Sequence, residues 1–89
     1  MLKLRLSKDS IGFINTRQPK HQRQIAAKIQ ILREDPMPVD SRVLASSKKF
    51  RRADVGEYRI IYRVKDDTLY VAIIGKRNDD EVYRRLAKK

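Results

Sequence analysis

Gly56-Glu57-Tyr58-Arg59-Ile60-Ile61-Tyr62-Arg63-Val64-Lys65-Asp66-Asp67-Thr68-Leu69-Tyr70-Val71-Ala72-Ile73-Ile74-Gly75 is the stretch that decides the fold class of this chain. Tyr58, Ile60, Tyr62 and Val64 alternate with Arg59, Ile61 and Arg63, the period-two pattern of a β-strand. Leu69 to Ile74 is a run of mostly β-favouring residues and predicts a second strand. Lys65-Asp66-Asp67-Thr68 between them reads as a tight hairpin turn, although it lacks the glycine that usually marks one.

Upstream of the hairpin, Lys49 to Val55 predicts a further strand that turns back through Gly56-Glu57, while Pro36 to Ser47, with two prolines and little periodicity, reads as a loop. Before that loop, Pro19 opens a helix in which Ile25, Ile29 and Leu32 recur at i, i+4, i+7 and Lys20, Arg23, Lys28 and Arg33 face water; Asp35-Pro36 ends it. Lys8 to about Thr16, carrying Ile11, Phe13 and Ile14, suits a short helix despite Gly12, and Ser7 is an N-cap type. Leu2, Leu4 and Leu6 alternate with Lys3 and Arg5 as a first strand. Downstream, Val82 and Leu86 lie four apart among Arg84, Arg85 and Lys88, a short C-terminal helix. The order strand, two helices, three strands, short helix predicts one α+β domain over residues 1–89. An N-terminal strand and two helices would pack on one face of a mostly antiparallel four-stranded sheet.

At 89 residues one modest core is expected. The absence of cysteine removes disulfides, thiolate metal sites and a cysteine nucleophile. Met1 to Ser10 is followed by no apolar run long enough for a signal or a membrane span, so a cytoplasmic protein without a membrane partner is expected. Twenty-two Lys and Arg against 11 acidic residues give a formal charge of +11, a field that draws polyanions at long range. The charge divides as +5 over residues 1–45 and +6 over 46–89, so it is not a basic tail. It runs through core-bearing segments and implies a folded cationic surface.

The chemistry-bearing residues concentrate between Phe50 and Tyr83. Arg51 and Arg52 precede Gly56-Glu57-Tyr58-Arg59, and after the hairpin comes Gly75-Lys76-Arg77-Asn78-Asp79-Asp80-Glu81-Val82-Tyr83. Guanidinium groups present paired donors that match phosphate oxygens, and several converging on one phosphate could stabilise a phosphorane-like transition state. Arg59 and Arg63 fit equally the outward positions of an ordinary half-exposed strand, and the residues alone do not choose between the two readings.

Glycine, acid, Tyr, Arg, two aliphatics and Tyr in Gly56 to Tyr62, then a hairpin, Gly75-Lys76-Arg77 and Glu81-Val82-Tyr83, resemble the core signature of the RelE/ParE superfamily of type II toxin-antitoxin toxins, in its RelE-like branch. The likeness covers nearly the whole chain. It implies a metal-independent endoribonuclease that cuts mRNA in the ribosomal A site and inhibits translation, the 2′-hydroxyl attacking the adjacent phosphate to leave a 2′,3′-cyclic phosphate and a 5′-hydroxyl. By position, the resemblance implies that Arg59 stabilises the transition state, Arg77 acts at the leaving 5′-oxygen, and Tyr83 assists the 2′-hydroxyl and stacks on a base. Arg52 falls at a phosphate-binding position, with Lys48, Lys49 and Arg51 beside it. Because tyrosine titrates near pH ~10, a tyrosine acting as general base needs cations beside it. Arginine holds its proton too tightly to donate it readily, so Lys76 is the alternative proton donor to Arg77. Asp54 departs from the pattern, standing where many relatives carry a basic residue; it either points away or pairs with an arginine.

His21, the single histidine, is read as a solvated surface residue, and Tyr62 and Tyr70 as packing residues. Asp79, Asp80 and Glu81 are the one tight acidic cluster; acids at a helix start are favoured by its dipole, so no metal and no cofactor is expected. The resemblance also implies a cognate antitoxin as partner, with operator DNA bound, and transcription repressed, only by the toxin-antitoxin complex. Two other functions compete: a ParE-like inhibitor of DNA gyrase without nuclease activity, against which Tyr83 argues, and a non-catalytic RNA-binding module.

Overall fold

The computed structural model describes residues 1–78 and 80–88. Its elements are β1 (Lys3–Leu6), α1 (Lys8–Asn15), α2 (Pro19–Glu34), β2 (Arg42–Val43), β3 (Arg51–Val55), β4 (Tyr58–Lys65), β5 (Thr68–Lys76) and α3 (Glu81–Ala87). The sheet has five strands in the order β1-β5-β4-β3-β2, with β1 parallel to β5 and every other pair antiparallel. The strand beyond the expected four is β2, two residues inside the Pro36 to Ser47 segment that pair with Arg51 and Arg52. Two residues cannot display a hydrophobic period, so only the neighbouring strand reveals this one.

Local chemistry explains the turns. Gly56 has φ +55°, the left-handed conformation glycine adopts without steric cost, and Asp66 in the β4–β5 hairpin has φ +57°. Asp is one of the few side chains that tolerate that region, so the hairpin forms without a glycine. Ser7 caps α1, its Oγ accepting the Ser10 backbone N–H at 3.0 Å.

The sheet separates two cores. On one side Ile25, Ile29 and Leu32 of α2 pack with Tyr58, Ile60, Tyr62, Leu69, Val71 and Ile74, and Phe13 and Ile14 of α1 close the edge. Each fully buried aliphatic side chain there stabilises the fold by about 1.5–3 kcal/mol relative to exposure. Within α1 it is Ser10, Phe13 and Ile14 that turn inward, while Ile11 is exposed, contrary to the Ile11/Ile14 stripe expected. Along α2, Lys20 and Arg23 are exposed, but Lys28 bonds Asp40 at 2.7 Å and Arg33 donates to the Leu2 carbonyl at 2.7 Å, so these two are not simply solvated. His21 is not a free surface residue either: it is half-buried, with Nδ1 2.5 Å from the Tyr58 hydroxyl and its ring edge-on to that ring. Tyr62 is fully buried and donates its hydroxyl to the Pro36 carbonyl at 2.6 Å, anchoring the loop after α2.

The opposite side carries a smaller core of Leu44, Ile61, Ala72, Ile73 and Val82, with Phe50, Tyr70, Tyr83 and Leu86 at its edge. The C-terminal helix therefore lies across the sheet from α1 and α2, not on the same face. A one-residue bulge adds to this face. Tyr62 pairs with Val71 and Ile61 with Ile73, leaving Ala72 as the extra residue, so Ala72 and Ile73 both face α3. Buried serines satisfy the carbonyls there: Ser7 Oγ donates to Ala72 O at 2.5 Å and Ser10 Oγ to Val71 O at 3.2 Å.

Candidate phosphate-binding site

Cross-strand partners share a face of a sheet, and this places the cations. Asp54 of β3 stands opposite Arg59 of β4, and Arg59 opposite Gly75 of β5, on the side covered by α3. The Arg59 side chain is only 14% exposed, against 32% for Asp54. Its Nε donates to Asp54 Oδ1 at 2.8 Å, its Nη2 to Asp54 Oδ2 at 3.2 Å, and its Nη1 to the Tyr83 hydroxyl at 2.7 Å. The hydrogen bonds Arg59 donates to Asp54, against the opposing effect of burial, raise the Arg59 pKa above its usual value, so the group is a fixed cation. A guanidinium has five N–H donors. The three bonds leave one N–H on each terminal nitrogen without a partner among the described residues, and such donors can bond a phosphate.

Tyr83 reaches Arg59 because of how α3 sits. Val82 is buried beneath the helix, which turns Tyr83 half-buried toward the sheet. The helix comes in close because residue 75 is glycine: a Cβ there would lie 2.5 Å from Val82 Cγ1. Arg85 clamps it. Its guanidinium bonds the Asp9 carboxylate of α1 and donates to Ile74 O at 2.9 Å, and Glu81 lies 3.5 Å away one turn earlier. Hydrogen bonding to the Asp9 carboxylate is the main reason the Arg85 pKa is raised.

Beside Arg59 an open depression of about 350 Å³ is lined by Val43, Ser46, Arg52 and Tyr83. Across the Tyr83 ring an adjoining hollow of about 430 Å³ is lined by Lys49, Phe50, Tyr70 and Leu86, so Tyr70 packs at its rim. Of the residues expected from the sequence, Arg52, Arg59 and Tyr83 come together here, and Lys49 stands at the rim. Lys48 is exposed in the turn before β3. Arg77 is exposed just after β5, two residues beyond the strand partner of Arg59, its backbone N–H bonded to Glu57 O at 3.0 Å.

Two expected cations are not on this face. Arg51 pairs with Tyr62 on the α1/α2 side and donates to the Ser41 hydroxyl at 2.8 Å. Lys76 pairs with Tyr58 and lines a hollow with Phe13 and Arg17. Both are placed by strand alternation: neighbours in sequence, Arg51 and Arg52 point to opposite faces. Asp54 proves to be bound to Arg59. Sequence reasoning missed the Asp9–Arg85 clamp, whose partners are 76 positions apart, and Arg42, whose place on the site face exists only through β2. Among the described residues no three or more His, Cys, Asp or Glu group together as metal ligands. Asp80 and Glu81 begin α3, and Asp79 lies outside the described residues. Among the described residues no helix is long and apolar enough to cross a membrane.

The isolated Escherichia coli RelE toxin has a similar structure, with a TM-score of 0.76 at 20% identity over 99% of this chain and 97% of that one. RelE in the archaeal RelE-RelB complex from Pyrococcus horikoshii gives 0.74 at 23% identity over 85% and 94%. YafQ of E. coli gives 0.68 at 21% over 88% and 96%. At these identities the likeness is one of fold. No curated protein sequence matches the chain. The model of the ParE toxin of the type II toxin-antitoxin system parDE, however, matches residues 7–81. On that match, which takes in every element from α1 to the first residue of α3, the chain belongs to the ParE toxin family and so to the RelE/ParE superfamily of type II toxin-antitoxin toxins.

Proposed function

We propose that this toxin is a ribosome-dependent mRNA endoribonuclease that cuts in the A site without a metal and so inhibits translation. The observation that carries the reading is the Arg59–Tyr83 hydrogen bond on a cationic face. A 2′-hydroxyl attacking its own phosphate builds negative charge on the phosphoryl oxygens, and the guanidinium of Arg59, with an N–H left on each terminal nitrogen, supplies charge and donors to receive it. Tyr83, flanked by Arg59 and Lys49, contacts the 2′-hydroxyl and presents its ring to a base. As the 2′-O–P bond forms the P–O5′ bond breaks; the 2′-hydroxyl proton leaves on the Tyr83 side to solvent, and the departing 5′-oxygen, neutralised by Arg77, takes up a proton from solvent. The products are a 2′,3′-cyclic phosphate and a 5′-hydroxyl. Arg52 binds a neighbouring phosphate, with Lys48 and Lys49 adding charge at the rim. The reaction takes place in the cytoplasm.

A cognate antitoxin is the expected protein partner, as RelB is for P. horikoshii RelE. A +11 chain favours an acidic segment covering this face. The toxin-antitoxin complex, not the toxin alone, binds operator DNA and represses transcription.

Purified protein added to ribosomes carrying a defined mRNA tests the central claim by primer extension. Cuts in the A site, absent on free mRNA and weakened in Arg77→Ala and Tyr83→Phe, support it; a well-folded wild type that makes no cut removes it. The ParE family match favours one other reading, inhibition of DNA gyrase by protein contact. Loss of supercoiling in the presence of the toxin, with mRNA intact, would establish that alternative.

A further inference from the structure

We propose that Arg42 and Arg52 form a second phosphate subsite, which holds a phosphodiester of single-stranded RNA next to the one gripped by Arg59. The inference rests on the nuclease reading and adds Arg42 to it.

Arg42 and Arg52 are direct cross-strand partners on β2 and β3, and Arg52 shares its face with Arg59 through its partner Ile61. Three guanidinium groups thus stand on three successive strands of one face. Like charges directly opposite each other on a sheet destabilise it, so the pair is explained by an anion that bridges it. Arg52 is half-buried and has no hydrogen bond or ion pair to any described residue. Arg42 is held from one side only: Nη1 donates to Val39 O at 3.0 Å and Ser41 O at 3.1 Å, and among the described residues Nε and Nη2 have no partner.

The two residues line one small depression with Asp40 and Asp54. Each carboxylate already has its own cation, Lys28 for Asp40 and Arg59 for Asp54. The local balance stays positive, four cations to two anions. Arg52 also lines the depression that contains Arg59 and Tyr83, so the two hollows border the same side chain. A sugar-phosphate backbone crossing the strands would meet Arg59, then Arg52 with Arg42. A duplex could not follow this path with its bases turned toward Tyr83, which restricts the ligand to an unpaired strand.

The test uses the full chain and a short RNA made uncleavable by a 2′-deoxy sugar at the cut, with each neighbouring linkage in turn replaced by a neutral methylphosphonate. Arg42→Gln should bind the RNA about tenfold more weakly, with a salt slope shallower by about 0.7. Lys20→Ala, which removes one exposed charge from α2, should differ from wild type by less than about twofold. One methylphosphonate should weaken wild type more than it weakens Arg42→Gln, in which only Arg52 still meets that phosphate, and Arg42→Lys should recover part of the affinity. Arg42→Gln binding as tightly as Lys20→Ala, while wild type still cleaves on ribosomes, overturns the subsite alone. Methylphosphonate penalties identical in wild type and Arg42→Gln also overturn it. A wild type that neither binds the RNA nor cleaves overturns the subsite and the nuclease reading together.

Discussion

Arg59 donates a hydrogen bond to the Tyr83 hydroxyl across 2.7 Å, and that bond ties the middle of the sheet to the C-terminal helix. Tyr83→Phe removes the acceptor and keeps the ring. The change should cost about 1 kcal/mol of stability or less, since the hydroxyl is partly solvated. Cleavage on ribosomes should fall by about 100-fold, within the range for loss of one positioned proton-transfer or charge-stabilising group. Thermal unfolding and single-turnover cleavage measure the two separately, and equal losses in both would mean the residue is structural.

Asp54 occupies two of the five donors of Arg59 and places a negative charge on the same face. Asp54→Asn keeps one acceptor for the guanidinium and removes a negative charge from the face. RNA affinity should rise several-fold, with a steeper dependence on salt. The pair is partly exposed, so the loss of stability should be about 1 kcal/mol. A filter-binding titration across salt concentrations decides it; unchanged affinity would show that the carboxylate does not oppose RNA.

Gly75 and Arg85 set the position of α3. Gly75→Ala puts a Cβ 2.5 Å from Val82 Cγ1 in a packed interior, which should destabilise the protein by about 1–3 kcal/mol. Arg85→Ala leaves the Asp9 carboxylate without its partner and should cost about 1–2 kcal/mol. Both should raise hydrogen exchange in α3 before the rest of the fold, and both should reduce cleavage by displacing Tyr83. Exchange rising uniformly across the sheet would count against a local role.

Lys28 holds the Asp40 carboxyl below its usual pKa, chiefly through the hydrogen bond between them. A carboxylate depressed by folding adds stability above its unfolded pKa and loses it as pH falls through the folded value. The melting temperature of Lys28→Gln should therefore lie below wild type at pH 7, and the gap should close below about pH 4. A gap constant down to pH 2 would remove Asp40 from the account.

The sequence by itself determined the sheet's central hairpin, the apolar stripe of α2, the Ser7 cap and the basic character, because each is written in neighbours one to four positions apart. It also put Arg59 and Tyr83 among the residues of interest, as members of a spaced signature. What it could not determine were matters of contact. The bulge at Ala72 resets the alternation of β5 and puts both Ala72 and Ile73 on the α3 side, and no local pattern encodes the pairing that creates it. Strand alternation carries Arg51 and Lys76 away from Arg59 although they adjoin Arg52 and Arg77 in sequence. His21 reads as solvated until Tyr58 is placed against it. Asp54 reads as a repulsive charge until Arg59 stands across the strand from it, and Arg42 as a loop residue until β3 pairs with it. In each case what decides is the pairing of one strand or helix with another, which exists only once the chain has closed on itself.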